Sequence, residues 1–340
     1  MIIRSKAPCR LEFAGGGTDV PPFCDEYGGI ILNSAINQYA YCTISPRDDK
    51  EFHIKSLDFG IIAKYEDEND LKFDGNLDLV KAVLRVLGKY DKYIKKGMNI
   101  TLHSDVPAGS GLGSSSTVCV ALIGAIAEYY RLPLTSYEIA DLAYKIERIE
   151  LGIKGGYQDQ YAATFGGFNL MEFGKNGEVK VNPLNLKSRV LNELHYNLLL
   201  IYTGKARLGD KILDKQIKIV ETKQIDIIEH YEILKGIAIK MKDALIKEDL
   251  TEFPNLIDTA WAHKKQVAPT ISTERIEQIY KVAKDNGALA GRIMGAGGGG
   301  HMLFWVPYEN RKKVISELER IGCKYVPFMF EPNGLQIWWI

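Results

Sequence analysis

Pro107-Ala108-Gly109-Ser110-Gly111-Leu112-Gly113-Ser114-Ser115-Ser116 is the stretch from which the rest of the chain can be read. Glycines alternate at 109, 111 and 113, hydroxyl residues follow, and an apolar run begins at Val118. Alternating glycines let a backbone bend through conformations closed to other residues and leave room for a ligand to approach the amides. A helix beginning at Ser114 would aim its unpaired N–H groups, and the positive end of its dipole, into that loop. Such an arrangement binds anions, most often phosphate. A capped loop leading into a buried helix would need none of this, and that simpler reading stays open on this segment alone. The loop is not a Walker A motif. The Gly-Lys pairs at 88, 174 and 204 are followed by Tyr90, Asn176 and Ala206, not by Ser or Thr. A different kind of phosphate loop is implied.

With 340 residues, the chain is long for a single core, and two domains are the natural expectation. The hairpin turn Gly174-Lys175-Asn176-Gly177 marks the boundary, giving domains at 1–180 and 181–340. A hydrophobic content of 46% with 25% charged residues describes an ordinary soluble globular protein. The 43 basic and 43 acidic residues cancel, so no global field draws the chain to nucleic acid or to an anionic membrane. Attraction for a charged small molecule must be local. Cys9, Cys24, Cys42, Cys119 and Cys323 are scattered, odd in number and without a Cys-x-x-Cys pair. That pattern predicts reduced, buried thiols and a cytoplasmic location. The histidines lack zinc-ligand spacing. Met1-Ile2-Ile3-Arg4-Ser5-Lys6 lacks the apolar core of a signal peptide, and no apolar run is long enough to span a bilayer. Composition leaves oligomeric state open, a homodimer included.

Residues 2–65 read mainly as strands, and 30–44 is rich in Ile, Tyr and Thr. Val80, Val83, Leu84 and Leu87 make a helical stripe. Met98, Ile100 and Leu102 alternate with polar residues as a half-buried strand leading into the glycine loop. Residues 117–130 are apolar nearly all round, as a buried helix would be. Thr135 and Glu138 form a capping box for the next helix. After a strand at 198–202, three helices fill 208–265. From 273 the order is helix, strand, strand, helix, strand, strand. The residues alone thus predict a two-domain α+β protein with mixed sheets.

Pro-x-Gly-x-Gly-Leu-Gly-Ser-Ser resembles the phosphate loop of the GHMP small-molecule kinases. Three further segments carry the same resemblance in the same order. Ala7-Pro8-Cys9-Arg10, followed by Gly15-Gly16-Gly17-Thr18-Asp19, is similar to the first family motif. Gly155-Gly156-Tyr157-Gln158-Asp159-Gln160 resembles the segment that carries a catalytic aspartate in galactokinases, and Met294-Gly295-Ala296-Gly297-Gly298-Gly299-Gly300 the third motif. Together they span nearly the whole chain. The triple glycine before Thr18-Asp19, with Tyr202-Thr203-Gly204, looks most like the D-glycero-D-manno-heptose 7-phosphate kinases, with fucokinase-like relatives as nearest competitors. The resemblance implies a ribosomal-protein-S5-like N-terminal domain, a ferredoxin-like C-terminal domain and an active site between them.

It also implies ATP and Mg²⁺. Phosphoryl transfer to a hydroxyl needs a phosphate cradle, a divalent cation, a group to take the proton and a means of holding the acceptor in line. The cradle is Pro107 with Gly109, Ser110, Gly111, Leu112, Gly113, Ser114 and Ser115. Magnesium takes hard oxygen ligands. Family placement assigns Ser115, with Ser114 beside it, and Glu147, which lies twelve residues before Asp159. Asp159 is the expected base and Arg10 its partner. An anomeric hydroxyl is more acidic than an ordinary alcohol, so a carboxylate suffices to accept its proton. Asp19, with Gly16, Gly17 and Thr18, is placed at the sugar, as are Gly297 and Gly298. A phosphorylated substrate needs a second anion site, for which Arg207, Lys264 and Arg292 stand beside motif segments.

A dinucleotide fold would require a helix after the Gly-x-Gly-x-x-Gly at 295–300, but 301–306 reads as a strand. Asp58-Phe59-Gly60 has no protein-kinase catalytic loop before it and is a chance match. The expected activity is ATP-dependent phosphorylation of the anomeric hydroxyl of a heptose 7-phosphate, giving the 1,7-bisphosphate. The alternatives are a fucokinase or other sugar-1-kinase, a non-catalytic sugar and ATP sensor, and the decarboxylase branch of the family.

Overall fold

The computed structural model describes residues 1–89, 97–205 and 210–340. Strand β1 (Ile3–Ala14) and helix α1 (Phe23–Tyr27) lead into the long strand β2 (Gly29–Pro46). Then come β3 (Phe52–Ser56), β4 (Ile61–Tyr65), α2 (Asp78–Gly88) and β5 (Met98–Ser104). The glycine loop follows β5 directly and enters α3 (Ser114–Tyr130), α4 (Ser136–Lys145) and α5 (Gln158–Phe165). Strands β6 (Phe168–Phe173) and β7 (Val179–Pro183) complete the first half of the chain. In the sheet the order is β12-β1-β2-β5-β3-β4, with β6 and β7 attached to the other end of β2. β12 (Gln336–Trp339) comes from the end of the chain and pairs antiparallel with β1, Arg4 facing Trp338.

Helix α3 shows why its sequence is apolar on every side. It lies against β1 and β2 and between neighbouring helices, and Cys119, Val120, Leu122, Ile123 and Ile126 are all fully buried. Helix α4 starts at the capping box anticipated from sequence: Thr135 accepts from the Glu138 N–H while Glu138 reaches back to Thr135. Helix α1 interrupts a stretch that reads as strand.

The second half contains α6 (Ser188–Asn197), β8 (Leu198–Tyr202), α7 (Asp210–Glu221), α8 (Ile225–Lys247), α9 (Phe253–Val267) and α10 (Glu274–Asp285). It continues through β9 (Ala290–Ile293), β10 (His301–Trp305), α11 (Tyr308–Arg320) and β11 (Lys324–Tyr325). Its strands pair antiparallel in the order β11-β8-β10-β9. With helices between β8 and β9 and between β10 and β11, that is the β-α-β-β-α-β arrangement of a ferredoxin-like domain. β7 runs past residue 180, and β12 returns to the first sheet, so the two sheets do not divide at a single point in the chain. Strand partnership across some 330 residues is a tertiary fact that local patterning does not carry. Apolar residues of both halves join one buried cluster, from Leu11 and Phe13 on β1 to Trp261 on α9 and Ile293 on β9.

Candidate active site

A cleft of about 290 Å³ opens between the two halves. Its loop side is made by Gly109, Gly111, Gly113, Ser114 and Ser115. Gly111 has φ +79°, and a Cβ there would stand 2.7 Å from the Met294 carbonyl oxygen, so only glycine fits. Gly113, also at φ +79°, precedes α3, and a Cβ on it would press on the Asp159 carboxyl carbon at 3.2 Å. The remaining loop residues shape the cradle from behind. The Pro107 carbonyl accepts from Ser114 Oγ, Leu112 is wholly buried, and the Ser110 carbonyl accepts from both the backbone N–H and the ring of His301. A carbonyl can only accept, so Nδ1 of His301 carries the proton. Burial lowers the pKa of that ring to about 4, which keeps it neutral near pH 7. The 295–300 segment therefore packs on the phosphate loop, with a strand after it, as expected from sequence.

Arg10 and Glu12 stand two residues apart on β1 and so share one face of the strand. Arg10 bonds Asp159 Oδ1 through Nε at 2.8 Å and lies 2.7 Å from it through Nη2. Its Nη1 donates to the Gly111 carbonyl, tying this pair to the loop. The arginine is 4% exposed and the aspartate 22%, so the carboxylate is the member a ligand can reach. Asp159 sits in the first turn of α5, where the helix dipole favours a negative charge.

Glu147 is buried and held by three donors. Ser115 Oγ reaches one carboxylate oxygen at 2.7 Å, and Ser116 Oγ and Gln160 Nε2 reach the other, each at 2.6 Å. A serine hydroxyl and a carboxylate are the hard oxygen ligands that magnesium takes, and it normally keeps waters and substrate phosphates as well. No group of three or more His, Cys, Asp or Glu suited to a metal occurs among the described residues. Ser115 and Glu147 therefore fit Mg²⁺.

Asp19 accepts from the Gln158 N–H at 3.0 Å, and its pKa is raised to about 6 by burial, with Asp159 and Glu12 adding repulsion. Thr18 is structural here: its hydroxyl donates to the Gly15 carbonyl and accepts from the Ile30 N–H. Lys264, on α9, is buried and donates to the Gly16 carbonyl at 2.5 Å. Burial pulls its pKa below the ordinary lysine value, and the neighbouring Glu12 charge opposes that. A Cβ on Gly17 would lie 3.4 Å from Lys264 Nζ. Gly297 lines the cleft, whereas Gly298 is turned to the Ile271 carbonyl.

Arg292 differs from expectation. It is completely buried, pairs with Glu12, donates to the Phe13 carbonyl and does not line the cleft. Its charge is engaged in holding Glu12. Burial would raise the Glu12 pKa, but Arg292, Lys264 and Arg10 together hold it at about 2. Arg207 lies outside the described residues.

Glu12, Ser116, Gln160 and Arg148 belong to the site and were not singled out from sequence. For Glu12 the signal was present, because Arg-Leu-Glu in a strand puts both charges on one face. Also unforeseen is an apolar cavity of about 270 Å³ that shares Ala108, Ser114 and Ser115 with the cleft. Leu77, Leu102, Val106 and Val118 line it, and Asp58 and Phe59 form its lip. Asp58 and Phe59 of the Asp-Phe-Gly tripeptide thus line a cavity that reaches the loop, though not as a protein-kinase motif.

Comparison with known proteins agrees with this geometry. Residues 78–167 match the GHMP kinases N terminal domain and residues 241–323 the GHMP kinases C terminal domain. The chain is 42% identical to a D-glycero-alpha-D-manno-heptose 7-phosphate kinase of Campylobacter jejuni, over 99% of this chain and 98% of that one. It is 29% identical to an L-fucokinase/L-fucose-1-P guanylyltransferase of Bacteroides fragilis, over 99% of this chain but 38% of that protein. A crystal structure described as a D-glycero-D-manno-heptose 1-phosphate kinase from Bacteroides thetaiotaomicron superposes with a TM-score of 0.84 at 38% identity, covering 99% of each chain. The chain belongs to the GHMP kinases and is a phosphotransferase with a hydroxyl acceptor, a sugar kinase similar to the heptose phosphate kinases.

Proposed function

We propose that this kinase uses ATP and Mg²⁺ to phosphorylate the anomeric hydroxyl of D-glycero-D-manno-heptose 7-phosphate, giving the 1,7-bisphosphate. The observation that carries the reading is the pairing of Arg10 with Asp159 against the phosphate loop, with Lys264 beside the bare Gly17 elsewhere in the same cleft. Asp159 takes the proton of the anomeric hydroxyl, and the guanidinium of Arg10 stabilises charge on the attacking oxygen. Asp19 and Glu12 accept hydrogen bonds from sugar hydroxyls. Ser115 and Glu147 hold Mg²⁺, which supplies charge neutralisation at the ATP phosphates. The apolar cavity behind the loop takes the adenine.

Among the described residues Lys264 donates one hydrogen bond, to Gly16, so two of its three N–H donors remain for a ligand. A phosphate at the far end of the sugar would meet that ammonium, and Gly17 leaves room for it. The Campylobacter relative is named for a 7-phosphate acceptor, which supports this reading, whereas the name of the Bacteroides structure points to a 1-phosphate acceptor. All five cysteines are free and buried, in keeping with a reducing cytoplasm. No helix among the described residues is long and apolar enough to cross a membrane.

The test is an acceptor panel: heptose 7-phosphate, heptose 1-phosphate, free heptose and L-fucose, with ADP release and ³¹P NMR of each product. Charge-assisted hydrogen bonds are about 1.5–3 kcal/mol each, so losing two should make free heptose about 10²- to 10⁴-fold poorer in kcat/KM than its 7-phosphate. Lys264→Met should shrink that preference. Faster turnover of the 1-phosphate would reverse the assignment of the reacting hydroxyl. Equal rates on free and phosphorylated sugars would move it to a neutral-sugar kinase.

A further inference from the structure

Glu147 and its neighbour Arg148 both line the cleft. Consecutive residues of a regular α-helix point in quite different directions, about 100° apart. Here α4 runs into one widened turn, Ile146–Glu150, in which the Leu151 N–H reaches the Ile146 carbonyl, five residues back, at 3.1 Å. Such π-turns are rare and are frequently found at functional sites.

The two side chains differ in how they are satisfied. Glu147 has donors on both carboxylate oxygens. Arg148 is 11% exposed; among the described residues its Nε is buried without a hydrogen-bond partner, and its one ion contact is Nη2 to Glu147 Oε2 at 3.9 Å. That separation is too long for a hydrogen bond. A buried donor left unmade costs free energy, so this guanidinium, which lines the cleft, is placed for an acceptor that the described residues do not provide. The neighbouring loop is shaped around it. A Cβ on Gly155 would lie 2.4 Å from the guanidinium carbon, and a Cβ on Gly156 would lie 2.0 Å from Asp19 Oδ2. Two successive glycines thus seat a cation next to the metal-binding carboxylate and a carboxylate on the acceptor side.

We propose that Arg148 contacts the phosphoryl group as it passes from ATP to the acceptor. The inference rests on ATP binding in this cleft and not on which sugar is phosphorylated. In the transfer a bond forms between the acceptor oxygen and the γ-phosphorus, and the bond from that phosphorus to the bridging oxygen of ADP breaks. The acceptor proton goes to Asp159. Negative charge spreads over the equatorial oxygens of the transferring group, where a planar guanidinium fork can bond two of them. Lys264 lies beside Gly16 and Gly17, so the acceptor's own phosphate and the transferring phosphate have separate cations.

The test compares wild type with Arg148→Gln and Arg148→Lys, reading kcat, both KM values, and the Kd of a non-hydrolysable ATP analogue with Mg²⁺. A transition-state role predicts a kcat loss of about 10²–10³-fold in Arg148→Gln, with Kd and KM changing by less than about threefold. Arg148→Lys should recover part of the rate, since it keeps the charge but not the fork. A second readout needs no sugar: ADP with aluminium fluoride mimics the phosphoryl group in flight. Wild type should bind this combination more tightly than ADP alone, and Arg148→Gln should lose the increment. A kcat within about fivefold of wild type overturns the proposal. So does a rate loss matched by weaker binding of the ATP analogue, which would mean that Arg148 only supports Glu147. A loss confined to phosphorylated acceptors would make Arg148 a ligand of the acceptor's phosphate and would likewise overturn it. Inactivity of the wild type on every sugar, with the aluminium fluoride increment intact, would instead count against the acceptor assignment alone.

Discussion

The phosphate loop and strand β1 meet at Arg10, yet they are built to hold ligands by different means. The loop offers backbone amides, and its other groups are tied down by the protein: Ser114 Oγ to the Pro107 carbonyl, the Ser110 carbonyl to the His301 ring, Ser115 Oγ to Glu147. β1 offers charge. Arg10, Glu12, Arg292, Lys264 and Asp19 are buried together beside the partly exposed Asp159, and these neighbours shift the ionisation of Arg10, Glu12, Asp19 and Lys264. Backbone recognition of phosphate tolerates side-chain change and varies little with pH. Recognition by a buried charge cluster is sensitive to both. The nucleotide side of the cleft should therefore be robust and the acceptor side brittle.

The sharpest way to break this contrast is Asp159→Asn. Turnover should fall by about 10²–10⁴-fold, the usual size of a lost general base, while the Kd for an ATP analogue stays near wild type. Near-normal kcat would remove Asp159 from the role of base. Arg292→Met comes next. It removes the ion-pair partner of buried Glu12, leaving only Gln158 and the more distant Lys264 and Arg10 charges, and breaking a buried pair in this way costs about 3–5 kcal/mol, which should appear as a lower unfolding midpoint in urea. Adding Glu12→Gln to it should restore part of that loss. If Arg292→Met alone is as stable as wild type, the cluster is less tightly coupled than its geometry indicates.

On the nucleotide side, Glu147→Gln tests the metal assignment. The Mg²⁺ concentration for half-maximal rate should rise by about 10–100-fold, and excess chelator should abolish wild-type turnover. Full activity in chelator would exclude the metal role.

The smallest expected effect is a pH limb. Asp19, raised to about 6, takes up a proton in the free enzyme as pH falls through that value. The stabilising effect of a carboxyl raised in this way is present at low pH and lost as pH rises through 6. Glu12, held at about 2, behaves oppositely, contributing above its ordinary value of 4.5 and losing that contribution as pH falls toward 2. Protonated Asp19 accepts fewer hydrogen bonds from the sugar, so kcat/KM for the acceptor should drop by about tenfold per unit below pH 6. Asp19→Asn should erase that limb, and its persistence would assign it to another group.

Much of this was legible in the chain. Glycine at 109, 111 and 113 followed by serines announces an anion loop because few residues besides glycine take those backbone angles, and the capping box at Thr135 is equally local. The Arg10–Asp159 pair was reached by resemblance, since 149 positions separate its members. The fate of Arg292 was not legible. An arginine beside a glycine motif reads as a ligand for phosphate, and only the reach of its side chain from β9 to Glu12 and the Phe13 carbonyl on β1 shows that its charge is engaged.

By itself, then, the sequence determined the family, the phosphate loop and the set of ionisable groups, because these depend on residue type and short-range conformation. Tertiary structure decided which of those charges face a ligand and which face each other. Burial and pairing set the ionisation of Glu12 and Asp19, left Arg148 without an acceptor among the described residues, and joined β12 to β1. Each of these depends on what lies across the cleft or the sheet, and distance along the chain does not encode it.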